Sequence, residues 1–180
     1  MQSGDLESRL IAAGVELLAE AGTDALSLRE IARRAGVSHG APRRYFPTHQ
    51  ALLAAIAREG YRKLGRLVAE TIGDSEAEPR EALLALGRRY VDFARDEPGM
   101  FALMFRHDLL RGNNIGLRGE STPLFGVLER LLQPTAAAAT LWAALHGIAQ
   151  LWNWGTLQVV TGLESPEPLI IAAADAHLEG

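Results

Sequence analysis

The chain has 180 residues, 48% of them hydrophobic, which is the composition of a globular protein with a sizeable core and excludes a disordered chain. It has no cysteine, which excludes disulfides and thiolate metal sites and is compatible with the cytoplasm. The formal net charge is −4, so the chain as a whole does not attract nucleic acid. The polar N-terminal residues predict no signal peptide, and we expect a cytoplasmic protein.

The first predicted element is an amphipathic helix over residues 5–21. Gly22 closes it, because glycine readily adopts the left-handed conformation that ends many helices. One face of this helix is apolar and consists of Leu6, Leu10, Ile11, Val15 and Leu18.

Residues 27–46 predict two short helices joined by a tight turn, a shape that fits the major groove of DNA. Ser27 and Glu30 have the spacing of a capping box. The first helix buries a face made of Leu28, Ile31, Ala32 and Ala35. Gly36 supplies the turn, Val37 fills it, and Ser38 is expected to cap the second helix. The alternative is a helix that starts closer to Gly40, because Pro42 is favourable only in the first turn of a helix.

The pattern remains helical to the end of the chain. We predict a long helix from Pro47-Thr48 to about residue 72, further helices over 79–96 and directly after Pro98-Gly99, and a loop over 107–122. The last helices are predicted over 123–132, 134–160 and 166–178. The fold class is therefore all-α, with about nine helices. We expect a helix-turn-helix domain over residues 1–50, extending to about 65 with its motif at 28–47, and a second domain over 66–180.

Positive charge is concentrated in the predicted helix-turn-helix and the helix that follows it. Residues 27–66 contain nine Lys or Arg and two Glu, a net charge of +7 in a chain whose total is −4. A basic segment in an acidic chain indicates a polyanion-binding surface.

These residues resemble those of the TetR family of bacterial regulators. The resemblance rests on SLREIARRAGVS, on the recognition segment (residues 38–46), which ends in Tyr45-Phe46, and on ALLAAIA in the next helix. In the C-terminal half, Trp142, His146 and Gly147 resemble the Trp…His-Gly pattern of one subgroup. The resemblance implies an all-α homodimer that binds a palindromic operator, and a small-molecule ligand in the C-terminal domain that weakens DNA binding.

The chain departs from the family pattern in the recognition segment. Arg43 stands where the family usually has Tyr, Tyr45 where it usually has His, and His49 where it commonly has Lys. Phe46 is expected in the core, and packing between helices is the alternative to DNA contact for Tyr45. The predicted DNA-binding residues are Ser38, His39, Gly40, Ala41, Arg43, Arg44, Tyr45, Thr48 and His49.

Residues 131–163 contain no charged side chain. Polar residues within this run, among them Gln133, His146 and Asn153, argue against a membrane span. A helix that is apolar nearly all round is typically buried on several sides, so we expect homodimerisation through the last two helices. Candidate ligand-binding residues, which have simple core packing as the alternative, are Tyr90, Phe93, Met100, Phe101, Met104, Phe105, Trp142 and His146.

The leading hypothesis is a sequence-specific transcriptional repressor that a small molecule releases from DNA. The alternative is a small helical ligand-binding protein or enzyme that happens to carry a helix-turn-helix. The sequence offers no metal-ligand spacing, phosphate-binding glycine loop or nucleophile elbow, so we predict no catalytic residue, metal or cofactor. We also expect Gly60 and Gly65 to soften the joint between the two halves.

Overall fold

The computed structural model describes residues 3–73, 78–110 and 116–178, and these form helices and turns without a β-strand. The all-α prediction is confirmed. The α-helices of this part of the chain are α1 Ser3–Ala21, α2 Leu28–Arg34, α3 His49–Ile72, α4 Pro79–Asp96, α5 Pro98–Met104, α6 His107–Leu110, α7 Leu117–Leu131, α8 Thr135–Asn153, α9 Thr156–Thr161 and α10 Glu167–Asp175. Short 3-10 turns lie at Thr23–Ala25 and Pro42–Arg44. None of the described helices is long and apolar enough to cross a membrane.

Two predicted elements differ from the structure. The loop expected over 107–122 contains the single helical turn α6, and α7 starts at Leu117 and continues through Pro123. Residues 111–115, which include the Gly112-Asn113-Asn114 part of that prediction, lie outside the described residues. The single helix expected over 134–160 is interrupted, because Gly155 adopts a left-handed φ of +74° between α8 and α9.

The chain divides into two compact units. The first comprises Met1–Arg62 together with Gly99–Arg118, and the second comprises Lys63–Pro98 together with Gly119–Gly180. The N-terminal unit therefore includes α5 and α6 in addition to the helix-turn-helix. The sequence-based boundary near residue 65 remains a prediction.

The core of the first unit is built from α1, α2 and the first half of α3. Its fully buried side chains include Leu10, Ile31, Leu52, Leu53 and Ile56. Gly14 on α1 allows this close packing, because a Cβ there would lie 2.3 Å from Cδ1 of Ile56. The residues that carry the helix-turn-helix are thus held on a tightly packed three-helix base.

In the second unit, α4 packs against α8 and α10. The approach of α4 to α10 is close, because a Cβ on Gly87 would lie 2.8 Å from Cγ2 of Ile170. Two bidentate ion pairs join the same helices. Arg80 donates to Asp175 at 2.7 and 3.0 Å and lowers the pKa of that carboxyl group, and Arg88 donates to both oxygens of Glu167. The last helix is therefore fixed to α4 along its whole length.

Candidate nucleic-acid interface

The start of α2 has the cap that the sequence predicts. Ser27 Oγ accepts a hydrogen bond from the Glu30 backbone N–H at 3.1 Å. The reciprocal half of the capping box is not formed, because the Glu30 carboxylate accepts hydrogen bonds from Arg33 at 2.9 and 2.5 Å. The Ser27 N–H instead donates to the Ala25 carbonyl at 2.8 Å. One serine cap and one local ion pair thus define this end of the helix.

The turn after α2 is built on Gly36. This glycine has a φ of +68°, as its predicted role as a turn residue requires. Its N–H donates to the Arg33 carbonyl at 3.1 Å, and the Val37 N–H donates to the Ala32 carbonyl at 3.0 Å. These two bonds are those of a Schellman motif, which satisfies carbonyl groups at the end of a helix.

A side chain from α1 completes the same helix end, a contact that sequence reasoning missed. Arg9 Nη2 donates to the Ala35 carbonyl at 2.6 Å. A cationic side chain at a helix C-terminus also compensates the negative end of the helix dipole. Arg9 lies 26 residues from Ala35, so no local pattern reveals the contact.

The recognition segment is shorter than predicted. It contains a single 3-10 turn, Pro42–Arg44, whose N-cap residue is Ala41 and which has no side-chain cap. The predicted capping role of Ser38 is therefore wrong. Its backbone carbonyl accepts a hydrogen bond from the Ala41 N–H at 3.0 Å, because Pro42 has no N–H with which to form the α-helical bond to Ser38.

The nine predicted DNA-binding residues lie close together within residues 38–49. Ala41 and Tyr45 are half-buried, and the other seven are exposed. Pro42 and Phe46 point into the core of the unit, and Phe46 is only 5% exposed, as expected of a core residue. The structure thus leaves the polar members of the segment at the surface and anchors it through two apolar residues.

Ion pairs neutralise part of the basic region. Arg33 pairs with Glu30, Arg34 with Glu20 at 2.5 Å, and Arg62 with Glu59 at 2.8 Å. The hydrogen bond from Arg33 lowers the pKa of the Glu30 carboxyl, so this pair is charged at neutral pH.

Two arginines of the recognition segment keep their full charge available. Within residues 3–73, 78–110 and 116–178, neither Arg43 nor Arg44 has an acidic partner, and both are exposed. The guanidinium group of an unpaired arginine can donate two parallel hydrogen bonds to a phosphate or to the edge of a guanine. Arg43 and Arg44 therefore leave positive charge on the recognition segment that is available to a polyanion.

Thr48 and His49 begin α3. Thr48 Oγ1 accepts a hydrogen bond from the Ala51 N–H at 3.1 Å, so the predicted capping role of this residue is confirmed. The His49 ring lies against the start of α2, with Nε2 2.6 Å from the Leu26 carbonyl oxygen. This contact to the backbone was not predicted.

The candidate ligand-binding residues fall into two groups. Met100, Phe101, Met104 and Phe105 belong to the first unit, and Tyr90, Phe93, Trp142 and His146 belong to the second. In the first group, Met100, Phe101 and Met104 are at most 5% exposed. These three side chains fill the core between α5 and α3.

Tyr61, which was not among the candidates, is central to this first group. Its hydroxyl donates to the Met104 carbonyl at 2.8 Å, and burial raises its pKa to about 12. Its ring makes an edge contact with Phe105 at a centroid distance of 6.0 Å. In the sequence Tyr61 is recognisable only as an apolar position of the long helix, because its hydrogen-bond partner on α5 lies 43 residues away.

Gly60 has a different role from the one expected. A Cβ at this position would lie 2.5 Å from Sδ of Met104 and 2.7 Å from Cγ and Sδ of Met100. The glycine is therefore required by close packing of α5 on α3, which does not fit a softened joint. At Gly65 a Cβ would make an ordinary contact of 3.7 Å with Leu124, so space does not demand glycine there.

The second group forms a row of rings in the second unit. The Tyr90 hydroxyl and His146 Nδ1 are hydrogen-bonded at 2.8 Å, and the Trp142 and His146 rings lie 6.0 Å apart. Phe125, which was not predicted, continues the row with an edge contact to Trp142 at 6.3 Å. Burial lowers the pKa of His146, so its imidazole is neutral at neutral pH. Phe93 is a buried core residue at 3% exposure.

Comparison with known proteins supports the helix-turn-helix assignment. Residues 10–56 match the model of "Bacterial regulatory proteins, tetR family", and residues 83–175 match that of the "Tetracyclin repressor-like, C-terminal domain". The second match alone spans more than half of the chain.

The chain belongs to the TetR family.

Solved structures agree with this assignment. A TetR transcriptional regulator from Streptomyces coelicolor is 31% identical to this TetR-family chain, covers 95% of it and 97% of its own length, and has a TM-score of 0.55. A protein of unknown function from Rhodococcus is 29% identical, with coverages of 97% and 94% and a TM-score of 0.81. The multidrug binding protein EbrR, solved with ethidium, shares the fold at 22% identity, coverages of 95% and 97%, and a TM-score of 0.70. No curated protein sequence matches the chain significantly.

The chain is thus a transcriptional regulator of the TetR family, in which DNA binding and ligand binding are combined. Among the described residues, no cluster of three or more His, Asp or Glu side chains is arranged to hold a metal ion.

Proposed function

We propose that this TetR-family regulator is a cytoplasmic repressor. It binds a palindromic operator as a homodimer, and a small-molecule ligand releases it from the DNA. The observation that carries the proposal is the recognition segment. It exposes Arg43 and Arg44, two arginines that have no acidic partner among the described residues, on a base that is fixed by Phe46 and Pro42. Fixed cations at the surface of a helix-turn-helix are what binding to the DNA backbone and the major groove requires.

Within this proposal the residues of the segment divide by chemistry. Arg43 and Arg44 bind phosphates or guanine edges, and Tyr45 and Thr48 donate their hydroxyl groups to the DNA backbone. Ser38, His39, Gly40 and Ala41 lie nearest the base edges, where the small Gly40 allows close approach. A Cβ at Gly40 would meet no atom within 4 Å, so this position is open on the protein side.

Dimerisation is proposed through α8 and α10, the last two long helices. Large apolar side chains are exposed directly after α8 and in α9, where Trp154 is 68%, Val159 85% and Val160 70% exposed. These residues lie in the charge-free run 131–163. Uncharged surface with exposed tryptophan is typical of the centre of an interface. A two-fold dimer would place its recognition segments in half-sites about one DNA turn, roughly 34–36 Å, apart.

The effector is proposed to bind in the second domain, over residues 66–180, at the row of rings formed by Tyr90, Trp142 and His146. Aromatic surface with a neutral hydrogen-bonding group suits a small, largely apolar ligand. Met100, Phe101 and Met104 are filled core, so we assign them a packing role. Phe93 and Phe105 support the packing around the two groups.

Binding to short duplexes taken from the DNA that flanks the gene tests the proposal. Fluorescence anisotropy should show tight, salt-sensitive and sequence-selective binding, because phosphate contacts make affinity fall steeply with salt and base contacts discriminate sequences. Mass spectrometry of small molecules that copurify would identify the effector, which should weaken binding when added back. Affinity no greater than that for unrelated DNA at low salt would refute the proposal.

A further inference from the structure

His49 stands out among the predicted DNA-binding residues because its ring is used inside the protein. Nε2 lies 2.6 Å from the Leu26 carbonyl oxygen, and the two residues are 23 positions apart. A carbonyl oxygen can only accept a hydrogen bond, so Nε2 carries the proton and donates it. Nε2 is thus occupied inside the protein and is not available to a phosphate.

The carbonyl that receives this bond belongs to a structurally important residue. Leu26 is 3% exposed, ends the 3-10 turn Thr23–Ala25 and directly precedes Ser27, the N-cap of α2. His49 likewise follows Thr48, which caps α3. The hydrogen bond therefore joins the capped starts of α2 and α3 to each other.

The two ends of α2 are restrained by different helices. At its C-terminal end, Arg34 pairs with Glu20 and Arg9 donates to the Ala35 carbonyl, so α1 holds that end. At its N-terminal end, His49 provides a side-chain bond to α3. The recognition segment connects α2 to α3 along the chain, so both of its ends depend on how these two helices are held together.

We propose that His49 is a positioning residue for DNA binding. It holds the start of α2 against α3 through the Leu26 carbonyl and thereby fixes the orientation of the recognition segment, which connects these two helices. It does not bind a phosphate. This role rests on the proposed operator binding.

A matched pair of amide variants tests the proposal. His49→Gln keeps an N–H donor at about the distance of Nε2, whereas His49→Asn shortens the side chain by one methylene and withdraws the donor. We expect His49→Gln to bind operator DNA within about twofold of the wild type and His49→Asn about fivefold more weakly, the effect of one lost hydrogen bond. The salt dependence of affinity should be the same in all three proteins, because no phosphate contact is lost.

Affinities are measured well below the melting temperature of each variant and corrected for the active fraction. An effect on folding alone would then leave the affinity of the folded protein unchanged. Equal affinity of His49→Asn and the wild type would overturn the proposal. So would weaker binding with a salt slope reduced by about one, which would show a lost phosphate contact.

A second readout does not involve DNA. Nitrogen-15 NMR of the free protein should show a proton on Nε2 of His49, and a ring protonated on Nδ1 alone would overturn the proposal. If the wild type binds no operator while this proton is on Nε2, the proposed repressor function fails but the bond to Leu26 stands. The two failures are therefore distinguishable.

Discussion

Two glycines on α3 offer a sharp test of how the first unit is packed. At Gly60, a Cβ would lie 2.5 Å from Sδ of Met104 and 2.7 Å from two atoms of Met100, and both methionines are buried. Overpacking of this kind costs about 1–3 kcal/mol, and three contacts below 3 Å place Gly60→Ala near the upper end. The better helix propensity of alanine returns about 1 kcal/mol. We therefore expect Gly60→Ala to lower the free energy of unfolding by about 2 kcal/mol.

Gly65→Ala is the matched control on the same helix. Its Cβ would meet Leu124 at an ordinary 3.7 Å, so the variant gains helix propensity without overpacking and should be more stable by up to about 1 kcal/mol. The two variants should then differ by about 3 kcal/mol, or about 6–12 °C in melting temperature for a chain of this size. Thermal and urea unfolding followed by circular dichroism measure the difference. Equal stability of the two variants would refute the packing argument.

Two further predictions concern the titratable rings of His146 and Tyr61. Burial lowers the pKa of His146 in the folded protein below 6.5. Below that pH the unfolded chain therefore binds more protons than the folded chain, and the stability that the neutral ring contributes is lost as the pH falls. The unfolding midpoint should therefore drop more between about pH 7.5 and about pH 5.5 in the wild type than in His146→Gln, and equal drops would contradict this. Tyr61→Phe leaves the Met104 carbonyl without its donor and should cost about 1 kcal/mol in urea unfolding, whereas an unchanged midpoint would exclude the bond.

Local signals predicted much of the fold. The bounds of α4 agree with the prediction at both ends, because Pro79 starts the helix and Pro98 prevents its continuation. The Ser27 cap and the Gly36 turn were predicted for the same reason, since each depends on the chemistry of neighbouring residues.

Elements with competing local signals were predicted less well. Gly40 and Pro42 reduced the recognition helix to one 3-10 turn, although the spacing of its capping and basic residues resembled a longer helix. The uniform apolar run after residue 134 concealed the break at Gly155, because glycine within such a run gives no sign of its φ. The glycines before Pro123 suggested a loop, yet α7 starts at Leu117 and contains Gly119.

Contacts between residues distant in sequence were beyond a local pattern. Arg9 on Ala35 and His49 on Leu26 both involve a backbone carbonyl, which has no sequence signature. Met100 and Met104 resembled an adaptable ligand-binding surface, and only the position of Gly60 shows that α5 fills this space. The charge pattern was a better guide, because net charge and its position are visible directly in the sequence.

The salt dependence of operator binding by the wild type and an Arg43→Ala/Arg44→Ala double variant tests whether these two arginines bind operator phosphates. Arg33→Ala serves as a control, because this exposed arginine is already paired with Glu30. We expect sequence-selective binding by the wild type. The slope of log affinity against log salt should be smaller by about two in the double variant and by less than one in the control. An unchanged slope in the double variant, or no selective binding by the wild type, would contradict this expectation.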